Sequence, residues 1–314
     1  MKITIFNRCS DFTKEQQEKL NSLGQVVYTK TREELPMEKL LEMAGGAEIV
    51  GVDPDPLGGF EKAKPVLTKI MESLPKLKGV CLSTTSFGWI DLDYCKKRNI
   101  PVSNVPGYSK ESVAEHTLAL LLCLAKRIIV TDRKTQKGQY KLEKGFELSG
   151  KTLGVIGLGR IGSRVAELAK GIGMKVIAYN RSPKIKEGVE MKSLDLLLKE
   201  SDAISLHTTH EPVNINIISK KQIAKMKKDV IIVNTVDREL VDEQAMTEAI
   251  KVGKVYGYAY EGEDLVNTPL VNLENAVGIK GFAWYTKEAL NNLYKIWVNN
   301  IEALAKGKPQ NRVV

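Results

Sequence analysis

Histidine and cysteine are scarce in this chain. Its 314 residues hold only three histidines, His116, His207 and His210, and four cysteines, Cys9, Cys81, Cys95 and Cys123. The cysteines show no CxxC spacing and have no histidine cluster near them, which argues against both a zinc site and a disulfide frame. They read as reduced thiols, and the expected location is cytoplasmic. Long apolar runs are also missing. The most apolar stretch, Thr117 to Ala125, ends at Lys126-Arg127, well short of the ~18 residues a membrane span needs. The N-terminal segment turns polar by Asn7, so no signal-peptide core and no membrane partner are expected. The net charge is +9, from 47 Lys+Arg against 38 Asp+Glu. No basic arm or aromatic interleaving accompanies it. A nucleic-acid partner is therefore not expected, and the lysines read as a solvated surface that could also serve an anionic ligand.

What is present is alternation. The length suits two domains of about 150 residues. Strand-like runs at Lys2–Phe6, Gln25–Tyr28, Glu48–Val52 and Gly79–Leu82 are separated by amphipathic stretches at Lys14–Leu23, Leu40–Met43 and Ala63–Ser73. A second series follows Gly150, with strands Thr152–Ile156, Lys175–Tyr179, Ala203–His207, Val230–Asn234, Val255–Ala259 and Ala276–Ile279. Strand–helix alternation of this kind predicts α/β architecture with parallel sheets covered on both faces. Between the two series lies an apolar helix, Glu111–Arg127, and the chain closes with a helical stretch, Thr286–Ala305.

The chemistry-bearing motif is Gly157-Leu158-Gly159-Arg160-Ile161-Gly162. It follows a strand and opens a helix, the context that makes a GxGxxG a dinucleotide site. Gly157 permits the turn, Gly159 lets a pyrophosphate approach the backbone, and Gly162 lets the helix pack closely. The next strand runs into Asn180-Arg181-Ser182. A carboxylate at Asn180 would accept from a ribose 2′-OH and repel a 2′-phosphate. The amide removes that repulsion, and Arg181 and Ser182 could bind the phosphate. The expected cofactor is NADP(H). NAD(H) stays open, since Asn180 can also bond a hydroxyl.

Together these residues resemble the D-isomer-specific 2-hydroxyacid dehydrogenase family. The resemblance is densest at Ile90-Asp91-Leu92-Asp93, Ile100–Tyr108, Ser112–Leu122, the glycine loop, Ser205-Leu206-His207, Val233-Asn234-Thr235, Leu240-Val241-Asp242-Glu243 and Trp284-Tyr285-Thr286. It implies two doubly wound parallel-sheet domains: a flavodoxin-like outer domain from residues 1–100 and 287–314, and an inserted Rossmann domain at 101–286. It also implies a homodimer built on helix 111–127. A helix buried within its own domain is the alternative. Cofactor contacts are implied at the glycine loop, Asn180–Ser182, His207, Thr208, Thr235, Val236, Glu261 and Gly281, with substrate contacts at Thr85, Ser86 and Trp89. Trp89 would narrow the cleft unless it points out.

The family's catalytic trio is an arginine, a glutamate and a histidine, and here the pattern departs. The register of Leu240-Val241-Asp242 puts Asp237 at the arginine position, with Arg238 one step late. The histidine position is Gly281, preceded by Lys280, and no glutamate aligns cleanly, Glu263 and Asp264 being the nearest acids. Asp237, Arg238 and Lys280 are then the candidate catalytic residues, forming a mixed-charge rim. His116 reads as structural and His210 as a rim residue. A 2-keto acid would face a carboxylate, a repulsion of a few kcal/mol at an effective dielectric near ~20. Ordinary 2-hydroxyacid dehydrogenation is therefore not the expected activity. The sequence leaves three readings: an oxidoreductase for an imine, amine or neutral carbonyl, a redox-neutral enzyme, or a non-catalytic nucleotide-binding regulator.

Overall fold

The structure is a computed structural model describing residues 1–209 and 211–314, so the expectation for His210 lies outside the described residues. The chain divides into two compact units, one of residues Met1–Tyr108 and Lys287–Val314, the other of Ser109–Thr286.

The first unit holds β1 (Lys2–Arg8), β2 (Gln25–Thr29), β3 (Ile49–Val52), β4 (Gly79–Leu82) and β5 (Val102–Ser103). They form a sheet in the order β2-β1-β3-β4-β5, parallel throughout. This is the flavodoxin-like order, and its switch point lies between β1 and β3. β3 and β4 are buried at every position, as inner parallel strands covered on both faces require. The C-terminal helix Lys287–Ala305 returns to this unit, and its Trp297 is fully buried and donates Nε1–H to the Cys81 carbonyl at 2.8 Å. Local chemistry sets the helix starts: Thr13 and Gln16 form a reciprocal capping box, and Asp91 accepts from Tyr94 N. The crossover to the second unit follows Tyr108 rather than position 100, because Val102–Ser103 pairs with β4 as an edge strand. Two residues are too few to leave a sequence periodicity.

The second unit contains β6 (Thr152–Ile156), β7 (Lys175–Tyr179), β8 (Glu190–Met191), β9 (Ala203–Leu206), β10 (Val230–Asn234), β11 (Val255–Gly262) and β12 (Ala276–Lys280). Their order is β12-β11-β10-β9-β6-β7-β8. The chain steps outward from β6 through β7 to β8, then returns beside β6 with β9. The carboxyl ends of β6 and β9 therefore flank the topological switch point, where such sheets bind ligands.

Helix Lys110–Lys126 buries Val113, Ala114, Thr117, Leu120, Leu121, Leu124 and Ala125 within its own unit. Much of the apolar middle expected to face a second subunit is thus spent internally, and Leu118, Ala119 and Leu122 remain partly or fully exposed. The helix stops at Arg127, whose backbone is left-handed (φ 54°). A second helix, Ile128–Gln136, follows at once. Buried Arg127 is held by Glu143 at 3.0 Å and lies over the Tyr256 ring.

Candidate functional site

The glycine loop leaves β6 at the switch point, and each glycine has a distinct reason to be one. Gly157 has φ +97°, and a Cβ there would lie 2.6 Å from the His207 carbonyl carbon. At Gly162 a Cβ would sit 2.0 Å from the Gly157 oxygen. A Cβ on Gly159 would meet no other described atom within 4 Å, which leaves room for a pyrophosphate to approach the backbone there. Gly159 begins helix Arg160–Gly171, and no side chain caps it. The first-turn N–H groups are left for an anion, and the helix dipole favours one. Ile161 packs partly buried into the core beneath. Across the switch point, both ring nitrogens of His207 are shut off from solvent without a partner among the described residues. Burial pushes its pKa down to about 3, so this is a neutral imidazole with its hydrogen-bonding capacity unspent. Thr208 accepts from Asn214 Nδ2 at 3.1 Å. These features fit a nicotinamide dinucleotide. The glycine loop and the helix N-terminus would hold its phosphates, and the bound dinucleotide would supply hydride transfer.

Asn180 directly follows β7 and stitches two loops together. Its Oδ1 accepts from Leu158 N at 3.0 Å, and its Nδ2 donates to the Ser182 carbonyl at 2.7 Å. Arg181, expected to meet a phosphate, instead pairs with Glu211 at 3.0 Å on an exposed surface. The cations beside the glycine loop are others. A cleft of about 350 Å³ is lined by Leu158, Gly159, Arg160, Ser163, Lys184, Ile185 and Lys186. Lys184 leans over the loop, donating to the Leu158 carbonyl at 3.0 Å, and Lys186 pairs with Glu167 at 2.7 Å. Sequence reasoning missed Lys184. Its position five residues past the strand end was the available signal.

On the other side of the switch point, the carboxyl ends of β10, β11 and β12 lie side by side, in the register Asn234↔Tyr260 and Gly262↔Lys280. The loop after β10 is pinned by Asn234, whose Nδ2 donates to the Asp237 carbonyl at 2.7 Å and whose Oδ1 accepts from Val236 N at 3.1 Å. Val236 is exposed, and the Thr235 hydroxyl lies 3.4 Å from that of Thr117. Asp237 is half-buried and its Oδ1 accepts from Glu239 N at 2.9 Å.

Arg238 does not stand on an open rim as expected. Its guanidinium pairs with both oxygens of Glu243, at 2.6 and 2.8 Å, and donates to the Asp264 carbonyl. Thr268 supports Glu243 at 2.8 Å. The side chain crosses directly over Gly262, where a Cβ would lie 2.3 Å from Arg238 Cδ. The guanidinium thus ties the loop after β10 to the loop after β11. Lys280 is exposed and faces Glu263 at 3.8 Å, a surface pair of little strength. At Gly281 a Cβ would meet only Glu263 Oε1, at 3.6 Å. The space in which the family histidine would project is open and bounded by a carboxylate.

Glu261, at the end of β11, is buried. Its Oε1 accepts from Phe282 N at 3.1 Å and Ala283 N at 2.9 Å. Burial raises its pKa against the pull of those two donors. His116, expected to be merely structural, reaches this carboxylate: its Nε2 lies 3.4 Å from Glu261 Oε1, and its ring meets Phe282 edge-on.

The substrate loop expected in the first unit is tied into its own scaffold. Trp89 is 5% exposed, and its Nε1–H donates to Thr84 Oγ1 and the Ser86 carbonyl. It packs in the core of this unit. Thr85 donates to the Val105 carbonyl at 2.7 Å, and Ser86 is exposed. Among the described residues there is no cluster of side chains suited to a metal, and no helix is long and apolar enough to cross a membrane.

Residues 118–279 match the model of the D-isomer specific 2-hydroxyacid dehydrogenase NAD-binding domain. A hydroxypyruvate reductase from Blautia hydrogenotrophica is 33% identical over 94% of this chain and 93% of its own. A glyoxylate reductase from Thermococcus litoralis is 36% identical over 78% of this chain and 79% of its own. Among solved structures, an acyclic imino acid reductase in complex with NADPH and D-Arg superposes with a TM-score of 0.85 at 30% identity, covering 100% of both chains. With the glycine loop in place at the switch point and relatives matching nearly end to end, the chain belongs to the D-isomer-specific 2-hydroxyacid dehydrogenase family.

Proposed function

We propose that this chain is an NADP(H)-dependent oxidoreductase that reduces a protonated C=N bond rather than a 2-keto acid. The observation that carries the reading is the paired change at the reacting edge, Asp237 and Gly281, beside an undamaged glycine loop. Hydride addition to a ketone builds negative charge on oxygen and needs a general acid, the work of the missing histidine. Hydride addition to an iminium ion neutralises a positive charge. The nitrogen already carries its proton, so no acid is required at position 281. A carboxylate at 237 favours that cation, whereas an arginine would repel it. An α-imino acid in this form is a zwitterion, while a 2-keto acid is a net anion. The likeness to an imino acid reductase supports the same reading. The test is whether an amine must accompany a keto compound before dihydronicotinamide is consumed.

NADP(H) preference rests on the missing carboxylate at Asn180 and on the cations lining the neighbouring cleft. NADPH is expected to bind more tightly than NADH by titration calorimetry. Lys184→Ala should weaken NADPH on the order of tenfold and leave NADH within about twofold. Equal affinities for the two cofactors in the wild type would remove the preference.

The chain is also expected to be a homodimer in a cytoplasmic setting, with small molecules and no nucleic acid or membrane as partners. Tyr140 and Leu142 are 89% and 84% exposed, and Ile128 is 52% exposed beside the partly open helix face. An apolar set of this size suits a second copy. Sedimentation should give a dimer, and Tyr140→Lys with Leu142→Lys a folded monomer. A wild-type monomer at micromolar concentration would contradict this.

A further inference from the structure

The segment that carries Gly281 is held by one side of helix Lys110–Lys126. Ser112 Oγ donates to the Ala283 carbonyl at 2.5 Å. One turn further on, His116 sets its ring edge-on to Phe282, centroids 5.2 Å apart, and its Nε2 3.4 Å from Glu261 Oε1. That oxygen receives the backbone N–H groups of Phe282 and Ala283. Glu261 thus has Oε1 committed to the protein, while Oε2 has no hydrogen bond among the described residues. Buried His116 Nε2 also has no hydrogen-bond partner of good geometry among the described residues. Its approach to the carboxylate is a close contact that a small movement would turn into a bond.

Both groups are pushed towards neutrality. Burial raises the Glu261 carboxyl and lowers the His116 imidazole. The backbone N–H groups of Phe282 and Ala283 oppose that rise at Glu261. The nearest charged side chains along the same edge are accounted for elsewhere: Lys280 faces Glu263, and Arg238 is locked to Glu243. The side chain that meets this buried carboxylate is His116, its Nε2 3.4 Å from Oε1.

We propose that His116 is a positioning residue for the nicotinamide end of the cofactor, acting through Glu261. This rests on the dinucleotide reading above. The neutral imidazole donates to Oε1, which keeps Glu261 ionised and turned so that Oε2 faces the sheet edge and accepts the carboxamide N–H. Without that donor the desolvated carboxyl takes up a proton more readily, and the carboxamide loses its acceptor. The same contact holds the segment bearing position 281 against the helix.

The experiment measures binding of NADPH and of 2′,5′-ADP, which carries only the phosphate half, from mildly acidic to mildly alkaline pH. The proteins are wild type, His116→Leu and His116→Gln. His116→Leu is expected to weaken NADPH about tenfold at neutral pH, one pH unit of differential interaction. It should also move the acid limb of NADPH binding upward by about one unit. His116→Gln, which keeps a donor, should stay within about threefold of wild type. Affinity for 2′,5′-ADP should be the same in all three. An unchanged NADPH profile in His116→Leu overturns the inference. So does a parallel loss of 2′,5′-ADP, which marks a general packing defect, and so does a Gln variant as weak as the Leu variant. If His116→Leu does not fold, His116→Asn, too short to reach Glu261, takes its place with the same expected outcome. Wild-type protein that binds neither ligand overturns the dinucleotide reading itself. Wild type that binds both, with no effect of His116, overturns only this inference.

Discussion

A double variant, Asp237→Arg with Gly281→His, is expected to reduce glyoxylate and hydroxypyruvate where the wild-type chain does so several orders of magnitude more slowly than a competent relative. The backbone is ready for the histidine. Gly281 is not in the left-handed region, and its Cβ would meet only the Glu263 carboxylate at 3.6 Å. That acid could then orient the imidazole. Restoring a general acid is worth roughly 10²–10⁴ in rate. Replacing repulsion by attraction at 237 adds a factor of similar order at an effective dielectric of ~20. The two residues act on one reaction, so each single variant should recover much less than the pair. The same double variant should lose at least about 100-fold on a C=N substrate, because the carboxylate that favours the cation is gone. A folded, NADPH-binding double variant with no keto-acid activity would show that more than these two positions separates this chain from its relatives. Wild-type turnover near ~10 s⁻¹ on a 2-keto acid would show that another residue is the acid.

Two alanine substitutions in the glycine loop should separate packing from ligand binding. In Gly162→Ala the new methyl overlaps the Gly157 carbonyl, placed 2.0 Å away. The methyl is fixed rigidly to the helix backbone and the carbonyl is itself backbone, so neither can swing aside. Overpacking of this kind costs about 1–3 kcal/mol, so the melting temperature should fall by several degrees and dinucleotide affinity should fall with it. Gly159→Ala meets no atom within 4 Å and should melt like wild type. It should nevertheless lose dinucleotide affinity by at least about 100-fold, because its methyl fills the approach a pyrophosphate needs. Calorimetric melting and NADPH titration read both outcomes. A Gly159→Ala protein that binds NADPH normally would place the cofactor's phosphates elsewhere.

The scaffold was legible because its signals are local and repeated. Strands such as Thr152–Ile156 and Val230–Asn234 are continuous apolar runs bounded by turn residues, and the structure places them at the same positions. Strands β5 and β8 escaped notice because two residues carry no periodicity. The glycine loop could be read because backbone sterics dictate each glycine. Side-chain partnerships could not, whether the partner lies five residues away or thirty. Nothing near Trp89 says that its indole N–H will find Thr84 and Ser86 and keep the ring in the core. Nothing near Arg181 announces Glu211, or near Arg238 the bidentate grip of Glu243. His116 looked structural because it sits mid-helix. Its meeting with Glu261 is made by the packing of that helix against β11, which no short-range pattern encodes.

The claim that the reacting edge is rebuilt for a cation is tested most directly by following dihydronicotinamide absorbance with purified protein, NADPH and a panel of 2-keto acids, each with and without an amine such as methylamine or ammonium. The expected result is that the keto acid alone leaves NADPH intact, while keto acid plus amine consumes it and yields the corresponding amino acid by mass spectrometry. Asp237→Asn should abolish most of that consumption without weakening NADPH binding. Oxidation at the same rate with and without amine would contradict the account, as would an Asp237→Asn protein as active as wild type.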